Sequence, residues 1–220
     1  MNRNCFVSWS GGKDSCLAFY KAVRAGYSPK KLFTMFSKEN DISTAHRLKE
    51  EVLRAQALAI GIEHTVGRAL FNEYEEVFVH NIKQFKKEGL DYGIFGDIDI
   101  EEHKQWEEKV CKRASITAVL PLWQKNRRNL VQEFLNLGFK AKIIVVNTTM
   151  LDKRFLGQDL SFSLLDEIEK CGADVCGENG EYHTVVYDGP IFRQPVNLVF
   201  DNNIIPVEDN WAQIQVRQRS

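Results

Sequence analysis

Cys5-Phe6-Val7-Ser8-Trp9 runs directly into Ser10-Gly11-Gly12-Lys13-Asp14-Ser15, and this junction decides the fold. The first five residues are almost wholly apolar, as a strand covered on both faces of a parallel sheet must be. From Ser15 the pattern changes: Leu17, Tyr20 and Val23 recur at three-residue steps, and Gly26 follows as a helix stop. Strand, glycine turn and helix in that order open a nucleotide-binding α/β unit. Gly11 and Gly12 let the backbone turn tightly and present its N–H groups without a Cβ in the way. The helix behind them adds a partial positive end. Lys13 supplies a full charge, and Ser10 and Ser15 supply hydroxyls. Such a set suits a polyphosphate, or the pyrophosphate that leaves one. It is neither the Gly-x-x-x-x-Gly-Lys of a P-loop nor the Gly-x-Gly-x-x-Gly of a dinucleotide site. The plainer alternative is a glycine turn whose Asp14 or Ser15 simply caps the helix.

Outward from this junction the alternation repeats. Residues 32–36, 62–66, 92–95 and 118–120 read as strands. Leu48, Val52, Ala55, Ala59 and Ile60 trace one face of a helix that Gly61 ends, residues 74–87 form a helix with Val77, Ile82 and Phe85 inward, and 101–113 form a charged helix. Alternating strands and helices imply right-handed crossovers and a mostly parallel sheet. Ser10, Ser37, Asp97 and Pro121 all fall at carboxyl ends of strands, where such sheets hold their ligands, so they are expected to converge on one cleft. The last third differs. Helices are expected over 130–137 and 163–170, with strands over 142–146, 185–192, 197–200, 204–207 and 214–216, the third and fourth joined by a turn at Asp201-Asn202-Asn203. The expected fold is α/β: a parallel-sheet, Rossmann-like nucleotide-binding domain over 1–127 and a smaller mixed α/β lobe over 128–220.

Composition narrows the function. With 44% hydrophobic and 27% charged residues the chain has the makings of a core and no case for disorder. A formal net charge of -1 is not that of a nucleic-acid binder, whose affinity rests on neutralising phosphates. Short basic pairs such as Arg127-Arg128 read as solvated helix ends. No apolar run is long enough to span a bilayer, and no secretory signal precedes the first strand. The five scattered cysteines then fit a reducing cytoplasm. Cys171, Cys176 and His183 could be imagined around zinc, but structural zinc needs four ligands in closer pairs. Neither nucleic acid nor membrane is an expected partner.

The second chemically dense stretch is Gly177-Glu178-Asn179-Gly180-Glu181-Tyr182-His183-Thr184, which gathers carboxylates, an imidazole and a hydroxyl on a glycine-bearing loop. The Ser10 to Ser15 string resembles the signature of the ATP pyrophosphatases. Within that superfamily the chain is similar to the diphthine–ammonia ligase family along nearly its whole length. The likeness is carried by Ser10 to Ser15, His46, the 53–61 helix with Gln56, Pro121-Leu122-Trp123, Leu137-Gly138-Phe139, Leu156-Gly157 and Gly177 to Thr184.

The resemblance implies an ATP-dependent ligase. A substrate carboxylate attacks the α-phosphate of ATP, pyrophosphate leaves, and ammonia displaces AMP to give an amide. On this reading Ser10, Gly11, Gly12, Lys13, Asp14, Ser15 and Asp97 bind the nucleotide. His46, Glu178, Asn179, Gly180, Glu181 and Thr184 bind substrate. Lys13, Asp14, Glu181 and His183 are catalytic, and Asp14 is the first choice to hold Mg2+. Capping the following helix is the alternative for His46 and for Asp97. Cys16 reads as a small core residue rather than a nucleophile, and Trp106 and Trp123 as packing residues, with stacking on a base or lining the cleft as their alternative. The expected partners are ATP, ammonia, a carboxylate substrate and a second copy of the chain. The family pattern Glu-Gly-Gly-Glu-x-Glu-Thr has Gly and Glu where this chain has Asn179 and His183. Those departures point to a small carboxylate or another modified group rather than diphthine, the family's substrate on a translation factor, whose trimethylammonium a carboxylate attracts and a protonated histidine repels; the diphthine-bearing factor stays the alternative, since Glu178 and Glu181 could still hold the cation. Two rivals compete: an RNA-thiolating ATP pyrophosphatase, which would want paired cysteines and a basic surface, and a non-catalytic ATP sensor, which would not need the second motif.

Overall fold

The computed structural model describes residues 3–44, 46–207 and 210–219. The chain runs β1 (Asn4–Ser8), α1 (Lys13–Arg24), β2 (Ser28–Ser37), α2 (Glu50–Ile60), β3 (Glu63–Ala69), α3 (Tyr74–Lys87), β4 (Tyr92–Ile94), α4 (Glu101–Arg113) and β5 (Thr117–Val119). These strands form a parallel sheet in the order β3-β2-β1-β4-β5. The chain builds outward from β1 through β2 to β3, then returns to lay β4 and β5 on the other side. The gap between the carboxyl ends of β1 and β4 is therefore the topological switch point, where a parallel sheet opens a crevice.

The alternation inside β1 sets the layers. Phe6 points to one face, where it meets Phe33, Phe78, Phe85 and Phe95 with ring centroids 5.6 to 6.3 Å apart. Helices α3 and α4 close over that face. Cys5, Val7 and Trp9 point to the other, against α1 and α2. Burial of Phe6 at this crossing of rings is worth about 3–5 kcal/mol against alanine. Within α1 the inward residues are Leu17, Phe19 and Ala22, and Val23, expected inward, is 44% exposed. In α3, Phe78 and Val79 take the buried positions and Val77 is half-buried.

The remainder comprises α5 (Arg127–Asn136), β6 (Lys140–Asn147), α6 (Phe162–Lys170), β7 (Tyr182–Asp188), β8 (Leu198–Val207) and β9 (Trp211–Gln218). Its strands pair antiparallel in the order β7-β6-β9-β8. Two expectations are corrected here. Asp201-Asn202-Asn203 is no turn between strands: β8 passes through it, the register against β9 jumping from Phe200↔Val216 to Ile204↔Ile214. A bulge absorbs the extra residues. And Tyr182, His183 and Thr184 are the first residues of β7 rather than part of the preceding loop. One continuous buried cluster joins Trp9, Phe19 and Leu53 to Phe134, Ile143 and Val185, so the second sheet packs directly on the α1 and α2 side of the first. The expected boundary at 127–128 falls in the first turn of α5.

Candidate active site

The Ser10 to Ser15 turn stands at the end of β1, over the switch point, and is fixed from within and without. Ser15 Oγ donates to the Gly12 carbonyl over 3.1 Å, and Ser10 Oγ donates to Ser15 Oγ over the same distance. Gly12 is the residue before α1 and makes no side-chain cap. The capping alternative for Asp14 and Ser15 is thereby removed; of the N–H groups at the helix start, that of Lys13 is taken by Thr184. Both glycines are required. Gly11 has φ +77°, and a Cβ there would lie 2.6 Å from Gln56 Oε1 and Leu53 Cδ2; a Cβ on Gly12 would collide with His46 Nε2.

Gln56, fully buried on the apolar face of α2, clamps the turn. It accepts from Trp9 Nε1 at 3.0 Å and donates to the Gly11 carbonyl at 2.9 Å and to the Val186 carbonyl at 2.7 Å. Val186 N–H donates back to the Gly11 carbonyl at 2.9 Å. Strand β7 is thus tied to the turn, and Thr184 adds a further tie by accepting the Lys13 N–H at 3.1 Å.

These ties bring both motifs to one cleft of about 360 Å3, lined by Ser10, Lys13, Asp14 and Ser15 on one side and Gly177, Glu178, Gly180, Tyr182, His183 and Thr184 on the other. Asp97, His103 and His46 complete its walls. Of the strand-end residues expected to converge, Ser10 and Asp97 do. Ser37 and Pro121 are not among the described residues that line it.

Inside the cleft Lys13 Nζ is 2.7 Å from Asp14 Oδ2 and 5.4 Å from the Tyr182 ring centroid. Burial works against the Lys13 ammonium, but Asp14, then Cys176, Tyr182 and Glu178, outweigh it and raise the pKa, so the charge is kept. Burial likewise raises the Asp14 carboxyl, with Lys13 pulling against it. Burial, and then Asp14, push Glu178 up to about 8. Ligand atoms of Asp14, Glu178 and Cys176 lie within 4.8 Å of one another. Cys176 therefore belongs with two carboxylates and not with Cys171 and His183 as an imagined zinc set would have it.

On the opposite wall Asp97 Oδ1 sits 2.7 Å from His103 Nδ1. Asp97 is no helix cap, since α4 follows Ile100 without a side-chain cap. Behind it is Glu107, 4% exposed, whose carboxyl is pushed up to about 11 by burial and by its hydrogen bond with Asp97. Burial beside Asp97 thus favours the neutral form of Glu107, whose Oε2 has no hydrogen-bond partner. His103 is in turn raised, mainly by that carboxylate.

His46 is not a cap either: α2 follows Lys49, and no side chain caps it. Its ring lies against Gly12 and 4.8 Å from the His183 ring, and His183 stacks on Trp211 at 5.5 Å with planes 9° apart. Burial holds both imidazoles neutral, His46 well below the usual range and His183 at about 4. Trp106 and Trp123 do not line the cleft; Trp106 packs on Phe78 and donates to Glu75, while Trp123 lies under the Lys104 ammonium.

Glu181 and Asn179 are turned into their own loop. Glu181 is 1% exposed, and its oxygens accept from the Asp174 N–H, the Asn179 N–H and Asn179 Nδ2 at 2.9 to 3.1 Å. Asn179 Oδ1 accepts from Arg127, which also pairs with Asp99 and Asp174 at 2.6 and 2.7 Å. Arg127, read from sequence as a solvated helix end, thus pins the second motif to the loop before α4. Nothing local in the sequence marks it, because every partner is distant. Gln56 did carry a signal: a lone amide on the Leu53–Ala57–Ile60 face of a helix.

The switch-point turn, the facing motif and the parallel sheet define an α/β protein with a Rossmann-like nucleotide-binding sheet. Residues 3–118 match the diphthamide synthase N-terminal domain and residues 126–217 the diphthamide synthase C-terminal domain. The chain belongs to the diphthamide synthase family. It is 27% identical to a diphthine–ammonia ligase of Homo sapiens and 28% to one of Bos taurus, each over 93% of this chain and 86% of the other. A solved structure described as a predicted subunit of a tRNA methyltransferase from Methanocaldococcus jannaschii superposes with a TM-score of 0.46 at 16% identity, covering 85% of this chain and 97% of that one. Among the described residues no helix is long and apolar enough to cross a membrane.

Proposed function

We propose that the protein is an ATP-dependent ligase that adenylates a substrate carboxylate, releases pyrophosphate and joins the acyl group to ammonia. The observation that carries this reading is the placement of the Ser10 to Ser15 turn at the switch point with Lys13, Asp14 and Glu178 in one cleft. Its support from relatives is that they are named diphthine–ammonia ligases.

The nucleotide's phosphates lie on the turn, with the start of α1 and the Lys13 ammonium offsetting their charge. A carboxylate oxygen of the substrate attacks the α-phosphorus and the bond to pyrophosphate breaks. Ammonia then attacks the acyl carbon, and AMP leaves with the electrons of the C–O bond. The proton lost by the ammonia nitrogen goes to the Asp97–His103 pair, which Glu107 orients from behind. The clustered carboxylates of Asp14 and Glu178 are hard oxygen donors that fit Mg2+. These two residues would hold it, and when bound it supplies positive charge to the phosphates. We assign Glu181, Asn179, Thr184 and Gln56 to holding the cleft's shape, because their polar atoms are already committed.

The substrate is a small carboxylate other than diphthine on this reading. The attraction that a carboxylate at position 183 would exert on trimethylammonium is gone. The repulsion expected from a charged His183 does not arise, since burial keeps that ring neutral. Turnover with ATP and ammonium against a panel of carboxylates and the diphthine-bearing factor, read by mass spectrometry for new amides, tests the assignment. An amide from at least one carboxylate is expected. ATP turnover without any amide would exclude the ligase.

A further inference from the structure

A second cavity of about 630 Å3 adjoins the cleft. His183 lines both. The wall between them is built at one turn of chain. His46 faces the cleft and touches Gly12, while Arg47, the next residue, faces the second cavity. Arg47 has φ +53°, a conformation that costs a side-chain-bearing residue about 1 kcal/mol or more and that persists where surrounding structure holds it. The holding is visible. Ser43 N–H donates to the Leu48 carbonyl at 2.9 Å, the Arg47 N–H to Ser43 at 3.0 Å, and Arg47 Nε to Gln213 Oε1 on β9 at 2.9 Å.

The cavity's walls are of two kinds. Trp211, stacked on His183, with Val145 and Pro206, gives a flat apolar surface. Arg47 is the one charged side chain among the described residues that line it. We propose that this cavity is the acceptor pocket and takes a free, flat carboxylic acid, its body on the Trp211–His183 face and its charge balanced by Arg47. The inference rests on the ligase reading, for it supplies the acyl group that the cleft activates. Three features carry it. Among the described residues the pocket and the nucleotide cleft share His183, so an acid seated in the pocket reaches the phosphates past that ring. Its charge is of the sign that draws a carboxylate and repels a trimethylammonium. Its size lies within the range of small-molecule sites, about 300–1,000 Å3, and exceeds what one protein side chain fills.

Ligand-observed NMR with 2-naphthoate and indole-3-carboxylate, and octanoate as the straight-chain control, tests the pocket on the wild type, Arg47→Gln and Trp211→Leu. ATP affinity and acid-dependent ATP–pyrophosphate exchange are measured alongside, with the diphthine-bearing factor as a further arm. The flat acids should bind the wild type more tightly than octanoate. They should lose about tenfold or more in affinity on Arg47→Gln, the loss of one charge-assisted contact, and weaken comparably on Trp211→Leu. Arg47→Gln should leave ATP affinity unchanged. No binding of either flat acid, or binding by both variants as tight as by the wild type, overturns the pocket. Exchange supported by the diphthine-bearing factor alone overturns the substrate class. Binding with the expected losses but no exchange with any carboxylate keeps the pocket and removes the ligase reading instead.

Discussion

The backbone N–H of Lys13 donates to the Thr184 hydroxyl over 3.1 Å, joining positions 171 residues apart. Lys13 is the first residue of α1 and Thr184 lies near the start of β7, so this bond holds the helix start that lines the cleft against the second motif. Both groups are buried, and neither has water to fall back on.

Thr184→Val should therefore leave the Lys13 N–H without a partner and cost about 1–3 kcal/mol, while Thr184→Ser keeps the hydroxyl and most of the stability. Urea denaturation of the two variants checks this. Equal stabilities would show that the bond holds nothing together.

Lys13→Ala should weaken ATP about 10- to 150-fold, the range for losing one charge-assisted contact. The structure adds a second effect. Asp14 would be left without its 2.7 Å partner in a half-buried place, so stability should fall too. Calorimetric titration with ATP and a thermal melt read the two separately. Unchanged ATP affinity would place the ammonium away from the phosphates.

The strand–turn–helix junction was legible because each part has a local cause. Burial on both faces selects the apolar run at Cys5 to Trp9, and the Gly-Gly pair is demanded by the approach of Gln56 and His46. Helices α3 and α4 were read to the residue, since apolar spacing and bounding charges agree. The bulge in β8 was not legible: Asp201-Asn202-Asn203 has turn chemistry, and only pairing with β9 carries the strand through it. The inward turn of Glu181 was not legible for a related reason. A glutamate beside glycines in a polar stretch reads as surface chemistry, whereas three N–H groups of its own loop turn it inward. Arg127 and the second cavity depend wholly on residues distant in sequence.

Glu181→Gln should destabilise the 174–181 loop, because one oxygen that now faces N–H donors becomes an NH2 group. A loss of about 1–3 kcal/mol is expected, with catalysis falling in step. Glu181→Gln retaining full stability while losing only product formation would return that carboxylate to a chemical role.

Glu107 makes stability depend on pH. Its folded pKa, about 11, lies above the ordinary 4.5, so across that window the folded protein holds a proton that the unfolded chain has lost. Stability contributed by this group then falls as pH rises, by up to about 1.4 kcal/mol per unit. Glu107→Gln removes that slope with an uncharged side chain of the same shape. Denaturation midpoints between pH 6 and 9 should decline less steeply for Glu107→Gln than for the wild type; parallel curves would mean that Glu107 is ionised in the fold.

The central claim is adenylation, and oxygen labelling tests it most directly. With ATP, ammonium and an active acid carrying 18O in its carboxylate, AMP and pyrophosphate should appear in equal amounts, and one labelled oxygen should be found in AMP. ADP and orthophosphate, with the label in orthophosphate, would mean that the γ-phosphate is the one attacked and would contradict the account.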